Sequence, residues 1–126
     1  EMISIYGNDY NTSDGTAVRD YIHVSDLADI HVHTANYLLE YKDTKIFNCG
    51  YGIGYSVLDI INKANEITKN KIKYEFADRR KGDAEQLVSN VNKLNNNINW
   101  KPKYNNLKTI IESAIDWEKK INEKNF

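Results

Sequence analysis

Val57, Ile60, Ile61, Ala64 and Ile67 recur at i, i+3, i+4, i+7 and i+10. A strand cannot gather such a set on one face, because its side chains alternate every second residue. The spacing predicts an amphipathic helix, and that helix needs a second layer to cover its stripe. Ser56 opens it in the Ser-x-x-Asp pattern with Asp59, a relative of the capping box. Asn106 predicts the cap of another helix, with Leu107, Ile110, Ile111, Ala114, Trp117 and Ile121 inward. Ser25 predicts the cap of a third, running to about Glu40, with Asp26 and Asp29 in its first turn. Its inward stripe reads as Leu27, His31, Thr34, Leu38 and Tyr41. Strand-like runs lie between the helices: Met2–Tyr6, Tyr21–Val24, Lys45–Asn48 and Ile72–Phe76. Asn90–Asn97 reads as a short helix closed by Trp100-Lys101-Pro102. The expected fold is α/β, with short strands and about three main helices. No repeat or linker divides it, so residues 1–126 are expected to form one domain.

Composition narrows the functions. The net charge is −1, with lysines interspersed among acids. Nucleic acid is not the expected ligand, because phosphate-backbone binding needs a clustered basic face. No apolar run approaches membrane length, and no signal peptide opens the chain. One cysteine, Cys49, cannot form an internal disulfide, so a reduced, cytoplasmic setting is expected. Within Ile46-Phe47-Asn48-Cys49 it reads as buried filler rather than a nucleophile. Glu1–Tyr6 reads as a strand already in progress, which leads us to expect more protein upstream.

The three arginines sit in two short segments, Asp14–Val24 and Asp78–Asp83, while the other fourteen basic residues are lysines. Arg offers a planar fork of donors that grips a phosphate or carboxylate at two points; Lys does not. Arg19, Arg79 and Arg80 therefore suggest anion binding. Structural pairs with the adjacent Asp14, Asp20, Asp78 and Asp83 explain them equally well from sequence. The long polar loop Gly7–Val18 leads into the first segment, and long loops in compact domains tend to be functional.

Other patterns carry less. Gly50-x-Gly52-x-Gly54 falls between a strand and a helix, but the spacing is not that of a dinucleotide fingerprint. It still predicts a helix N-terminus aimed at whatever lies above the turn. His31 and His33, two apart on a helix, face different ways and make poor joint metal ligands. His23 reads as a satisfied structural histidine.

Several segments occur in a specific order. They are Tyr6-Gly7-Asn8-Asp9-Tyr10, then Asp14-Gly15-Thr16-Ala17-Val18-Arg19-Asp20-Tyr21-Ile22-His23-Val24, then Asp26-Leu27-Ala28-Asp29. Asn48-x-Gly50-x-Gly52-x-Gly54-x-Ser56-Val57, Arg79-Arg80-x-Gly82-Asp83 and Asn99-Trp100-Lys101-Pro102 follow. Together they resemble the C-terminal part of the UDP-glucose 4-epimerases, which are extended short-chain dehydrogenase/reductases. The resemblance implies a small C-terminal substrate-binding domain that holds a UDP-sugar. NAD would be bound by an N-terminal Rossmann domain outside residues 1–126. By resemblance, Arg19 and Arg80 clamp the diphosphate and Asp83 hydrogen-bonds the uridine ribose. Val57 packs near the uridine, and Ser4, Ile5 and Tyr6 contact the nucleotide through the first strand. Arg79 and Lys81 add to the local field or are structural.

Leu87 falls where the family carries the wall of the sugar pocket. A large aromatic there goes with glucose and galactose alone, a smaller residue with N-acetylated sugars as well; Leu is intermediate. The superfamily's catalytic Tyr-x-x-x-Lys occurs as Tyr41/Lys45 and Tyr104/Lys108, at a helix end and in a loop, where neither pair suits the chemistry. No catalytic residue is expected here, and the chain by itself is expected to be inactive. The implied function is the UDP-holding part of an enzyme interconverting UDP-glucose and UDP-galactose, with a homodimer as the intact form. The alternatives are a UDP-N-acetylglucosamine 4-epimerase or another extended-family UDP-sugar enzyme. From a different class, a non-catalytic nucleotide-sugar-binding or interaction module is the rival.

Overall fold

A computed structural model of the chain describes residues 2–123; Glu1, the start of the expected opening strand, lies outside them. Met2–Tyr6 forms β1, which pairs in parallel with β4, Lys73–Ala77, so that Met2 lies opposite Lys73 and Tyr6 opposite Ala77. A second sheet is built from strands of two residues each: β2 (Val18–Arg19), β3 (Tyr55–Ser56) and β5 (Gln86–Leu87). β2 is central, antiparallel to β3 and parallel to β5, with Arg19 opposite both Tyr55 and Leu87. Gly54 lets these strands close up. A Cβ there would stand 2.5 Å from Val18 Cγ1 and 2.8 Å from Val88 Cγ2.

Three long helices and one short one complete the fold, as expected. They are α1 (Val24–Tyr41), α2 (Val57–Thr68), α3 (Asn92–Asn97) and α4 (Leu107–Glu123). The capping box of α2 is complete: Ser56 Oγ accepts from Asp59 N at 2.9 Å, and Asp59 Oδ2 accepts from Ser56 N at 2.9 Å. Asn106 Oδ1 accepts from Lys108 N at 2.9 Å and so caps α4. α2 and α4 pack together, burying Ile61, Leu107 and Ile111. A second core gathers Ile30, Leu94, Ile98 and Trp100, with Cys49, Phe47 and Tyr51 packed against it.

Five expectations are corrected. Tyr21–Val24 is not a strand; the last hydrogen bond to β5 is made by Asp20 N, and His23 N is taken by Tyr51 Oη at 3.1 Å. The cap of α1 is therefore His23, whose Nδ1 accepts from Ser25 N at 3.0 Å, not Ser25. The inward face of α1 carries Asp26 and Ile30, leaving His31, Leu38 and Tyr41 exposed. An apolar stripe cannot register a buried carboxylate, and Asp26 is 0% exposed because four hydrogen bonds hold it. Lys45–Asn48 forms no strand, since its backbone finds no pairing partner among the described residues, and Ile46 stands 84% exposed. On α4, Trp117 is 63% exposed and lines a groove with Ile22, Val24 and Ile110 instead of joining the core. No helix among the described residues is long and apolar enough to cross a membrane.

Candidate functional site

β1 and β4 run side by side, so the chain leaves both at the same edge. β2 reaches that edge after the long loop, and the first turn of α2 lies beside it through β3. This convergence creates a cavity of about 310 Å³. Ser4, Ile5 and Tyr6 line it from β1, Arg19 from β2, and Val57 from α2. Arg80 and Asp83 enter from the loop after β4. Seven of the eight residues singled out from sequence thus meet in one place. Leu87 does not. It lies on β5, 58% exposed, in an adjoining depression with Asn48, Ser89 and Arg19. Arg19 is the wall between the two.

The charges are arranged around one carboxylate. Asp83 Oδ2 accepts from Arg80 Nε at 2.9 Å, and its Oδ1 lies 3.6 Å from Arg19 Nη2. Arg19 also donates from Nη1 to Val18 O at 2.7 Å, which folds its fork back along β2. Arg19 and Asp83 are largely buried, whereas the Arg80 side chain is 63% exposed. Arg80 rests on the ring of Tyr6, 4.8 Å from its centroid. Two forks therefore share one acid and retain unused donors, as two-point capture of a multiply charged anion requires.

Ala17 and Tyr21 complete the wall and were not singled out from sequence. For Tyr21 the signal was available: it follows Arg19 by two residues, and alternate residues of an extended segment share a side. Burial pushes its phenol up, against the pull of Arg19.

Two of the acids beside the arginines in sequence, Asp14 and Asp20, do other work. Asp14 accepts from Thr16 N at 2.8 Å, Thr16 Oγ1 at 2.7 Å and Ser56 Oγ. Burial opposes its ionisation, but these hydrogen bonds prevail and hold the carboxyl below its ordinary range. Asp20 accepts from Tyr51 N at 3.0 Å, Gly52 N at 2.9 Å and Ser89 N at 3.2 Å. Of the adjacent acids, Asp83 does pair with Arg19 and Arg80, while Arg79 pairs with the distant Asp9.

The start of α2 is not open to a ligand, contrary to expectation. Val57 N donates to Ala17 O at 3.1 Å, Leu58 N to Thr16 Oγ1 at 3.4 Å and Asp59 N to Ser56 Oγ. The glycine turn before it is equally filled, since a Cβ on Gly50 would stand 2.4 Å from Asp20 Oδ2. These residues offer no cradle for a dinucleotide.

His23, His31, the lysines of the two Tyr-Lys pairs and Cys49 each make contacts within the fold. His23 stacks on Tyr104 with centroids 4.5 Å apart, and His31 Nδ1 bonds Leu27 O at 2.7 Å. No group of potential metal ligands occurs among the described residues. Lys45 donates to Tyr37 Oη at 2.6 Å rather than to Tyr41, and Lys108 pairs with Glu112. Burial pushes the Cys49 thiol up, as befits filler.

Comparison with known proteins gives an independent view. The family model described as GDP-mannose 4,6 dehydratase matches residues 1–113. A UDP-glucose 4-epimerase of Azospirillum brasilense is 41% identical over 121 residues, covering 96% of this chain and 35% of that protein. The structure of the UDP-Glc/GlcNAc 4-epimerase from Campylobacter jejuni matches with a TM-score of 0.84 at 41% identity, over 94% of this chain and 36% of its own. A Bifidobacterium longum UDP-glucose 4-epimerase, solved in complex with NAD+ and UDP, matches with a TM-score of 0.84 at 34% identity, over 100% of this chain and 37% of its own. The chain spans about a third of the length of these relatives.

Proposed function

Since this chain belongs to the family that the GDP-mannose 4,6 dehydratase model describes, we propose that it is the UDP-holding part of a UDP-glucose 4-epimerase. The meeting of Arg19, Arg80 and Asp83 at one cavity carries the reading. A diphosphate needs two-point cations, and both forks have donors to spare. Arg80 is exposed enough to swing from Asp83 onto a phosphate. Asp83 then has oxygens free to accept from a ribose diol. Val57 and Ile5 supply an apolar wall for the base. The sugar extends past Arg19 towards Leu87. Inversion at C4 needs the sugar to present two faces while UDP stays put, so tight contacts belong on the nucleotide and loose ones on the sugar. NAD would be held by residues outside 1–126. The same reading extends to an NAD-binding domain and a second copy as partners, and to a cytoplasmic setting.

Calorimetric titration with UDP, in the protein at its natural length, tests the clamp. Arg19→Lys and Arg80→Lys keep the charge but lose the fork, so each should weaken UDP binding by roughly 1–2 kcal/mol. Melting temperatures should change little. Unaltered affinity in both variants would defeat the assignment, and UDP binding without epimerisation by the natural-length protein would favour a non-catalytic module.

Leu87 favours a broader substrate range, because the depression it lines is open and an aliphatic side chain leaves room for an N-acetyl group. Leu87→Tyr should depress kcat/KM for UDP-N-acetylglucosamine at least tenfold more than for UDP-glucose, the loss of about 1.4 kcal/mol. An equal fall for both substrates would remove Leu87 from the pocket wall.

A further inference from the structure

We propose that Arg79 is a positioning residue that aims Arg80 into the cavity by latching its loop to the loop after β1; this rests on the UDP reading above. The two loops leave the sheet together, because Tyr6 lies opposite Ala77 and Gly7 N donates to Ala77 O at 2.8 Å. Arg79 then crosses from one to the other. Its Nε donates to Asp9 Oδ1 at 2.6 Å, its Nη2 donates to Asp9 O, and its guanidinium lies 4.0 Å from the centroid of the Tyr10 ring. Tyr10 is itself an anchor, 5% exposed. The joint is filled: Gly7 has φ +88°, and a Cβ there would stand 2.4 Å from Tyr10 Cε2 and 3.0 Å from Arg79 Cγ.

Arg79 takes no part in the cavity wall, and its neighbour does. Among the described residues Arg80 has two holds of its own, Asp83 and the face of Tyr6, and an anion competes for the first. Fixing the backbone one residue away limits where its fork can go when Asp83 releases it. Preorganisation of this kind raises affinity without a contact to the ligand. Only Arg makes this joint, because Lys has neither a fork for the two Asp9 oxygens nor a plane to lay on Tyr10.

UDP titration of the natural-length protein tests the latch, with melting curves of the same variants. Arg79→Lys keeps the charge, so loss of the latch should still weaken UDP about fivefold, within the range of coupling between neighbouring residues. Asp9→Ala gives the sharper sign. It removes a negative charge near an anion site, so the local field alone predicts tighter binding, whereas the latch predicts binding about threefold weaker. In the double variant the losses should not add. A lowered melting temperature with unchanged UDP affinity in the folded molecules would overturn the inference, as would tighter binding by Asp9→Ala. Arg80→Lys separates the levels. If it weakens UDP while Arg79→Lys and Asp9→Ala do not, the latch alone fails; if it and Arg19→Lys both leave affinity unchanged, the cavity reading falls and takes the latch with it.

Discussion

Asp26→Ala should lower the unfolding free energy by about 3–5 kcal/mol, the largest effect we expect of any substitution proposed here. The carboxylate is fully buried and accepts from Tyr51 Oη at 2.6 Å, Tyr104 N at 2.9 Å and Lys103 N at 3.1 Å. Removing it strands three donors in the interior. It also loosens the segment after Trp100 from α1, leaving the contacts of Asp29, which accepts from Trp100 Nε1 at 3.1 Å and pairs with Lys103, and the stacking of Tyr104 on His23. The effect should depend on pH. Burial works against ionisation, but the Tyr51, Tyr104 and Lys103 hydrogen bonds outweigh it and hold the carboxyl below its ordinary range. A depressed folded value means that the stabilisation is complete above the unfolded carboxylate pKa of about 3.9 and disappears as pH falls through the folded value. Urea unfolding from pH 7 down to pH 2 should show a large gap between wild type and variant that narrows in acid. A constant gap would assign the loss to packing alone.

Gly50→Ala is expected to lower stability by about 2–3 kcal/mol, towards the upper end of overpacking effects. Its backbone conformation does not demand glycine, so the whole effect comes from the added methyl group. That carbon would lie 2.4 Å from Asp20 Oδ2 and 2.7 Å from Ser89 Oγ. Asp20 must move, and it carries the amides of Tyr51, Gly52 and Ser89. Asp20 N also continues the pairing of β2 with β5 through Leu87 O at 3.2 Å. The disturbance should therefore reach Arg19, one residue away, and weaken UDP in the molecules that still fold. Thermal melts and UDP titration on the same preparation check both effects, and an unchanged melting temperature would contradict the close approach at Gly50.

The parts legible in the sequence are those written locally. α2 and α4 follow from apolar spacing and from Ser56, Asp59 and Asn106, all within a turn of the groups they cap. The cavity residues were found because short ordered motifs carry them. What escaped depends on residues far apart in the chain. β2, β3 and β5 are two residues long and exist only because distant segments meet, so no local alternation announces them. Arg79 sits beside Asp78 in sequence yet pairs with Asp9. Asp26 looked like a first-turn helper of the helix dipole, but its partners Tyr51, Lys103 and Tyr104 lie well downstream, and their hydrogen bonds turn a polar residue inward. That reversal shifted the whole inward face of α1.

Asp83, set between Arg19 and Arg80, gives the cavity an internal counter-ion. Two guanidinium groups this close would otherwise repel and splay, and every binding event would begin by gathering them. With the acid as placeholder, the pair waits already assembled. The placeholder also sets a threshold. A singly charged anion offers Arg80 little beyond what Asp83 already gives, whereas a diphosphate reaches both forks at once and makes the exchange worthwhile. On the proposed reading, release would run the same exchange backwards: as a nucleotide left, the carboxylate would take its place, so departure would not expose two bare cations. Such a site would hold a diphosphate firmly enough to orient it and still let it go.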